Sequence, residues 1–177
     1  MTDTKTRILD LAEELTQTRG FNGFSYIDLA AGVGVKTSSI HYHFKAKADL
    51  ALALVERLRE VHQAASDAFD KNMSNPEDRL RALISHFEGY VKNDKICMCG
   101  MMAAEFATVS PDVHRALAFY FRDLQKWLVQ QFVEMGHTDP QQSALSFLSA
   151  LEGSHLLARV EGDPDLVGKA LDSYLTN

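Results

Sequence analysis

Within a single short segment the chain gathers residue types suited to contacting DNA: Thr37, Ser38, Ser39, Tyr42 and His43. Small hydroxyls, a phenol and an imidazole can all approach base edges and phosphates closely. Two short helical patterns carry them. Leu29, Ala30, Val35 and Ile40 are apolar where those helices must meet, and Gly34 permits the left-handed turn that lets the second helix cross the first steeply. On patterning alone the segment is either a helix-turn-helix or a polar helical hairpin on an unrelated bundle. A metal site at His41-Tyr42-His43 is excluded, because positions i and i+2 of a helix point about 200° apart.

A second stretch, Ile96 to Phe106, is soft and apolar. Met101, Met102 and Phe106 suit a small organic molecule or ordinary core packing. Glu105 is the lone acid among them, placed to bond a ligand or to pair with Arg115 or Arg122. Cys97 and Cys99 are too close for an unstrained disulfide. They are either buried small hydrophobes or thiols open to oxidants and electrophiles, with Lys92 and Lys95 close in sequence. A metal held by Cys97, Cys99 and His86 would lack a fourth ligand, so no metal and no cofactor are expected.

The elements that position these residues are helical throughout; strand alternation is missing. Ile8, Leu11, Ala12 and Leu15 define a first helix from Asp3 to Arg19 that stops at Gly20. Ser25 caps a second over Tyr26 to Gly32, and a third runs from Lys36 or Thr37 to Phe44. A long fourth helix opens at Lys45-Ala46-Lys47 and reaches Lys71, with Leu50, Leu54, Leu58 and Val61 on its inward stripe. After the break at Asn72 to Pro76 come helices over Glu77 to Val91, Met101 to Val109, Pro111 to Met135, Pro140 to Val160 and Pro164 to Leu175. Ser-Pro and Asp-Pro pairs mark two of the starts. The reading is an all-α chain of about nine helices.

The net charge of −6 lies wholly beyond residue 50, since six basic and six acidic residues balance in the head. A neutral head lacks the strong basic footprint usual in nucleic-acid proteins. No Gly-x-Ser-x-Gly elbow, phosphate loop or His-Glu-x-x-His motif is present, so an enzyme is not expected. Without a signal peptide or a long apolar run, the expectation is a cytoplasmic protein with no membrane partner.

Leu29-Ala30, Gly34-Val35, Ile40, His43-Phe44, Lys47 and Leu50 stand in the order and spacing of the TetR/AcrR repressor family, and the segment resembles its DNA-binding domain. Two positions depart. Lys36 stands where a capping Ser is frequent, which moves capping to Thr37, and His41 stands where a tyrosine is usual. The resemblance implies an N-terminal three-helix helix-turn-helix domain over 1–48 and a helical effector-binding and dimerisation domain over 49–177. It also implies a repressor that binds a palindromic DNA operator as a homodimer and is released by a small-molecule effector or by thiol modification. DNA contacts would come from Thr37, Ser38, Ser39, His41, Tyr42, His43, Lys47, Ser25, Thr4 and Lys5. An effector pocket would draw on Phe87, Tyr90, Cys97, Cys99, Met101, Met102, Glu105 and Phe106. The dimer would form through Leu145, Leu148, Leu151, His155, Leu171 and Tyr174. The competing reading is a helical adaptor or structural bundle that does not bind DNA.

Overall fold

Helix-start signals in the sequence act as helix starts in space. Ser25 Oγ accepts from Asp28 N–H, and Asp28 Oδ2 accepts from Ser25 N–H at 2.7 Å, closing a reciprocal cap. Asn75 and Asp139 each accept from a first-turn amide, with Pro76 and Pro140 at the first helical position. The structure is a computed structural model that describes residues 3–175. These hold α1 Thr4–Arg19, α2 Tyr26–Val33, α3 Thr37–His43, α4 Lys47–Asn72, α5 Pro76–Lys92, α6 Met98–Ala104, α7 Pro111–Glu134, α8 Pro140–Glu161 and α9 Asp165–Leu171. Among the described residues there is no strand, and no helix is long and apolar enough to cross a membrane.

The chain divides into two compact units. One comprises the residues through Arg59 with Met98–Tyr120; the other comprises Glu60–Cys97 with the residues from Phe121 onward. In the first unit α1 packs on α2 and α6, and α2 packs on α3. Ile8, Leu29, Ile40 and Leu50 are wholly buried and set the angle between these short helices. Gly34 ends α2 with φ 74° and ψ 40°, the left-handed conformation that turns the chain into α3. Capping does not move to Thr37. Lys36 occupies the cap position and its side chain caps nothing, so α3 starts without that support.

In the second unit α8 packs on α9 and α5, and α5 on α9. Phe87, Phe132 and Phe147 fill the interior, with Phe147 edge-on to Phe132 at 5.7 Å and to Tyr174 at 5.6 Å. One cation is buried there. Arg79 donates to Met73 O at 2.9 Å, Gln131 Oε1 at 2.9 Å and Glu134 Oε2 at 2.8 Å, with Asp70 at 3.6 Å. These acceptors satisfy most of the guanidinium fork in place of water.

Three elements differ from the sequence expectation. α6 begins at Met98 instead of Met101 and ends at Ala104, and Phe106–Thr108 tightens into a 3-10 turn closed by Thr108 N–H to Glu105 O at 2.9 Å. α9 stops at Leu171 and continues as a 3-10 turn through Tyr174. Val61 leaves the inward stripe of α4 and is 52% exposed, because the buried face of that helix ends at Leu58.

Candidate functional site

The exposed face of α3 is built by burying one residue. Ile40 is fully covered, which turns Tyr42 outward to 83% exposure and leaves Ser38 and His41 in solvent, with Thr37, Ser39 and His43 half-buried beside them. His41 packs edge-on to Tyr26 at 4.9 Å, and the ring of His43 meets Tyr42 at 5.2 Å. Thus four of the six expected α3 residues accompany the projecting phenol of Tyr42, while His41 leans back on α2.

The other expected contacts are committed within the unit. Lys47 Nζ donates to Phe24 O at 2.6 Å and lies over the rings of Phe21 and Phe24 at 4.8 and 4.6 Å. Burial pushes its pKa down, with the carboxylates of Glu105 and Asp28 opposing. The Ser25 hydroxyl donates to Asp28 at 2.6 Å, and Lys5 lies 6.0 Å from the centre of the Phe44 ring. Thr4 is half-buried at the start of α1. Sequence reasoning passed over Lys36 and Lys45, exposed immediately before and after α3; their place beside the polar helix was the available signal.

Several acids of the head are tied to local partners, which fixes their positions without removing their charge. Asp10 bonds Arg57 at 2.6 Å, Asp49 accepts from Ala46 N–H at 2.9 Å, and Asp28 is held well below the usual carboxylate range by its bonds to Ser25. Three of its acids are thus occupied locally, while Lys36 and Lys45 remain exposed.

Glu105 is engaged by the loop after α1. Its Oε2 accepts from Asn22 N–H at 3.0 Å and Asn22 Nδ2 at 3.1 Å, and Asn22 Nδ2 also reaches Thr108 Oγ1 at 2.6 Å. The acid spends its lone pairs latching the end of α6 to the loop after α1. Phe106 stacks on His114 at 3.6 Å in an exposed position. Met102 and Cys99 are fully buried, Met101 half so. Cys97 is buried in the second unit and donates to the Glu152 carboxyl, which burial raises to about 7. Phe87 is buried, and Tyr90 stacks on His155 at 5.9 Å.

The second unit instead contains a cavity of about 60 Å³ lined by none of the eight residues expected for the effector. His62, Ala65, Ser66 and Phe69 line it from α4, joined at its rim by Val61; Leu83 and His86 come from α5, and Leu124 and Trp127 from α7. Burial and the neighbouring His86 push the His62 imidazole down to about 4, and desolvation lowers the more exposed His86 too. His86 Nε2 lies 3.0 Å from Tyr90 Oη. Trp127 Nε1 donates to Asp70 at 3.1 Å. The sequence signal was slight: His62, Ala65, Ser66 and Phe69 recur at helical spacing on a helix whose apolar stripe had already ended.

The residues expected at a dimer interface separate into two groups. Leu148, Leu151, His155 and Leu171 are covered by the chain's own packing, and Tyr174 rests on Phe147. Leu145 is half exposed, and Leu156, Leu157 and Val160 also project from α8.

Residues 8–54 match the family described as bacterial regulatory proteins, tetR family, and residues 76–174 match the tetracyclin repressor-like C-terminal domain. The chain is 30% identical to a TetR-family transcriptional regulator of Agrobacterium tumefaciens, covering 97% of this chain and 95% of that one, with a TM-score of 0.91. It is 28% identical to a TetR transcriptional regulator of Legionella pneumophila, covering 98% and 96%, with a TM-score of 0.93. An uncharacterized HTH-type transcriptional regulator of Lactococcus lactis is 22% identical over 99% of this chain and 93% of its own length.

Proposed function

Since the chain belongs to the TetR family, whose members are DNA-binding transcriptional regulators and not enzymes, we propose that it is an effector-responsive repressor that binds a palindromic operator as a homodimer. Residues 1–48 act as its DNA-binding domain and 49–177 as its effector-binding and dimerisation domain, working on DNA in the cytoplasm. The observation that carries this reading is the α3 face: a projecting Tyr42 amid Thr37, Ser38, Ser39 and His43, behind a left-handed turn at Gly34. Laid in the major groove, these groups reach base edges, while Lys36 and Lys45 meet phosphates on either side.

For the homodimer, Leu145, Leu156 and Val160 recur along one face of α8 at helical spacing, with small Ser149 and Gly153 between them. A two-fold axis through this face would bring the same patch of both copies together. The recognition helices would then meet half-sites about one helical turn, roughly 34–36 Å, apart. Release would follow when an effector in the second-unit cavity prefers a state with the wrong spacing. The burial of both thiols, and the acid beside Cys97, favour this route over thiol modification, since reactive cysteines want exposure and positive charge.

Fluorescence anisotropy with the DNA upstream of the chain's own gene, against a scrambled duplex over a salt series, tests the reading. Salt-sensitive binding about 10³-fold tighter to the first is expected, with loss on Tyr42→Ala. Equal, weak binding to both duplexes, repeated with operators selected from genomic fragments, would return the helical adaptor.

A further inference from the structure

We propose that the cavity of the second unit binds an uncharged single-ring aromatic molecule bearing one hydroxyl, a phenol. This deepens the effector reading above and rests on it for any regulatory consequence, though not for binding itself.

Size sets the first limit. A water-sized group needs about 10–15 Å³ of such space, so about 60 Å³ admits four to six of them, against the seven non-hydrogen atoms of phenol; one ring is therefore the upper limit, with its edge at the mouth beside the exposed Val61. Shape sets the second. Phe69 and Trp127 stand at 48° with centroids 6.3 Å apart, and Leu83, Leu124 and Ala65 complete an apolar wall that offers a ring both faces and edges.

Charge sets the third. No lining side chain carries a formal charge at neutral pH: His62 is held neutral by burial, His86 is lowered as well, and the others are apolar or a hydroxyl. The nearby Asp70 carboxylate already accepts from Trp127 Nε1 and lies 3.6 Å from the Arg79 guanidinium. A carboxylate or ammonium ligand would shed its hydration and find no counter-charge. Polar groups are nonetheless present. The Ser66 hydroxyl both donates and accepts, matching a ligand hydroxyl that does the same, while His86 Nε2 already lies 3.0 Å from Tyr90 Oη. A hydrocarbon offers Ser66 nothing to bond.

Trp127 is the only tryptophan in the chain and it lines the cavity, so it reports occupancy directly. The full-length protein is titrated with phenol, toluene, benzoate, benzylamine and 1-naphthol while Trp127 fluorescence is followed. A saturable change with phenol is expected, at least tenfold tighter than with benzoate or benzylamine and tighter than with toluene or 1-naphthol. Ala65→Leu, which narrows the wall, should abolish the response; Ser66→Ala should erase the preference for phenol over toluene, and it guards against a folding failure in the first variant. Benzoate binding as tightly as phenol, or no saturable response to phenol in the folded protein, would overturn the assignment. Operator release by phenol is read separately by anisotropy. Its failure alongside saturable binding would count against the effector reading and leave the site standing.

Discussion

Histidines in the two units of this protein live under opposite conditions. His41 and His43 lie on the seven-residue α3 at or near solvent, His41 edge-on to Tyr26 and His43 to Tyr42. In the second unit burial holds His62 and His155 down to about 4, so both are neutral at physiological pH. The same side chain thus stands at the surface in one place and is buried among apolar neighbours in the other. The difference lies in which elements cover it. An exposed face needs one helix with its opposite side buried, whereas the cavity needs α4, α5 and α7 together.

The comparison breaks first at Arg79, whose loss should fall on the second unit alone. Arg79→Met would leave Gln131 Oε1, Met73 O and Glu134 without their donor and should cost about 3 kcal/mol in urea unfolding. The variant that stays folded should keep its operator affinity. If that affinity collapses in parallel, DNA binding by α3 depends on the second unit. Tyr42→Ala is the converse. At 83% exposure the ring supports little packing, so stability should move by less than about 0.5 kcal/mol while operator affinity falls about 10- to 30-fold.

Acid sharpens the contrast. The folded values of His62 and His155 lie below the unfolded value of about 6.5, so the unfolded chain binds protons first. Stability from these groups is complete above that pH and is lost as pH falls toward 4, by at most about 3 kcal/mol each. Glu152 has the opposite sign: raised from 4.5 to about 7, its contribution holds at low pH and is lost as pH rises through 7. His62→Phe should therefore flatten the acid limb of a urea-midpoint profile between pH 7 and 4.5, and Glu152→Gln the neutral limb. A His62→Phe profile as steep as the parent's would show that His62 is solvated in solution.

The smallest effect belongs to the latch between α6 and the loop after α1. Asn22→Ala removes two side-chain hydrogen bonds at the surface, keeps the backbone N–H bond to Glu105, and should cost about 1 kcal/mol, read as a modest fall in thermal midpoint. Restoring one of the acceptor's partners with Asn22→Gln should recover part of it.

The sequence by itself determined what depends on neighbours a few positions away. Ser25 with Asp28 fixed the start of α2, Gly34 fixed the turn, and Ile40 against Leu29 and Ala30 fixed which side of α3 faces out. The nine helices and the family resemblance were legible for the same reason, since capping and apolar periodicity act within one or two helical turns. Tertiary structure alone decided the partners of Glu105, Lys47 and Arg79, which lie 83, 23 and 52 residues or more along the chain in their strongest contacts. It also decided that Phe87 and Met102 are covered, that Glu105 is tied to Asn22 and that Phe106 is exposed, while His62, Ser66 and Trp127 line the cavity and Tyr90 a more open hollow beside His86. The stripe of α8 shows the same division, with Leu151 turned into the subunit and Val160 left bare. Periodicity says that a helix has an apolar face; which of its residues is covered, and by what, depends on the crossing of helices distant in sequence.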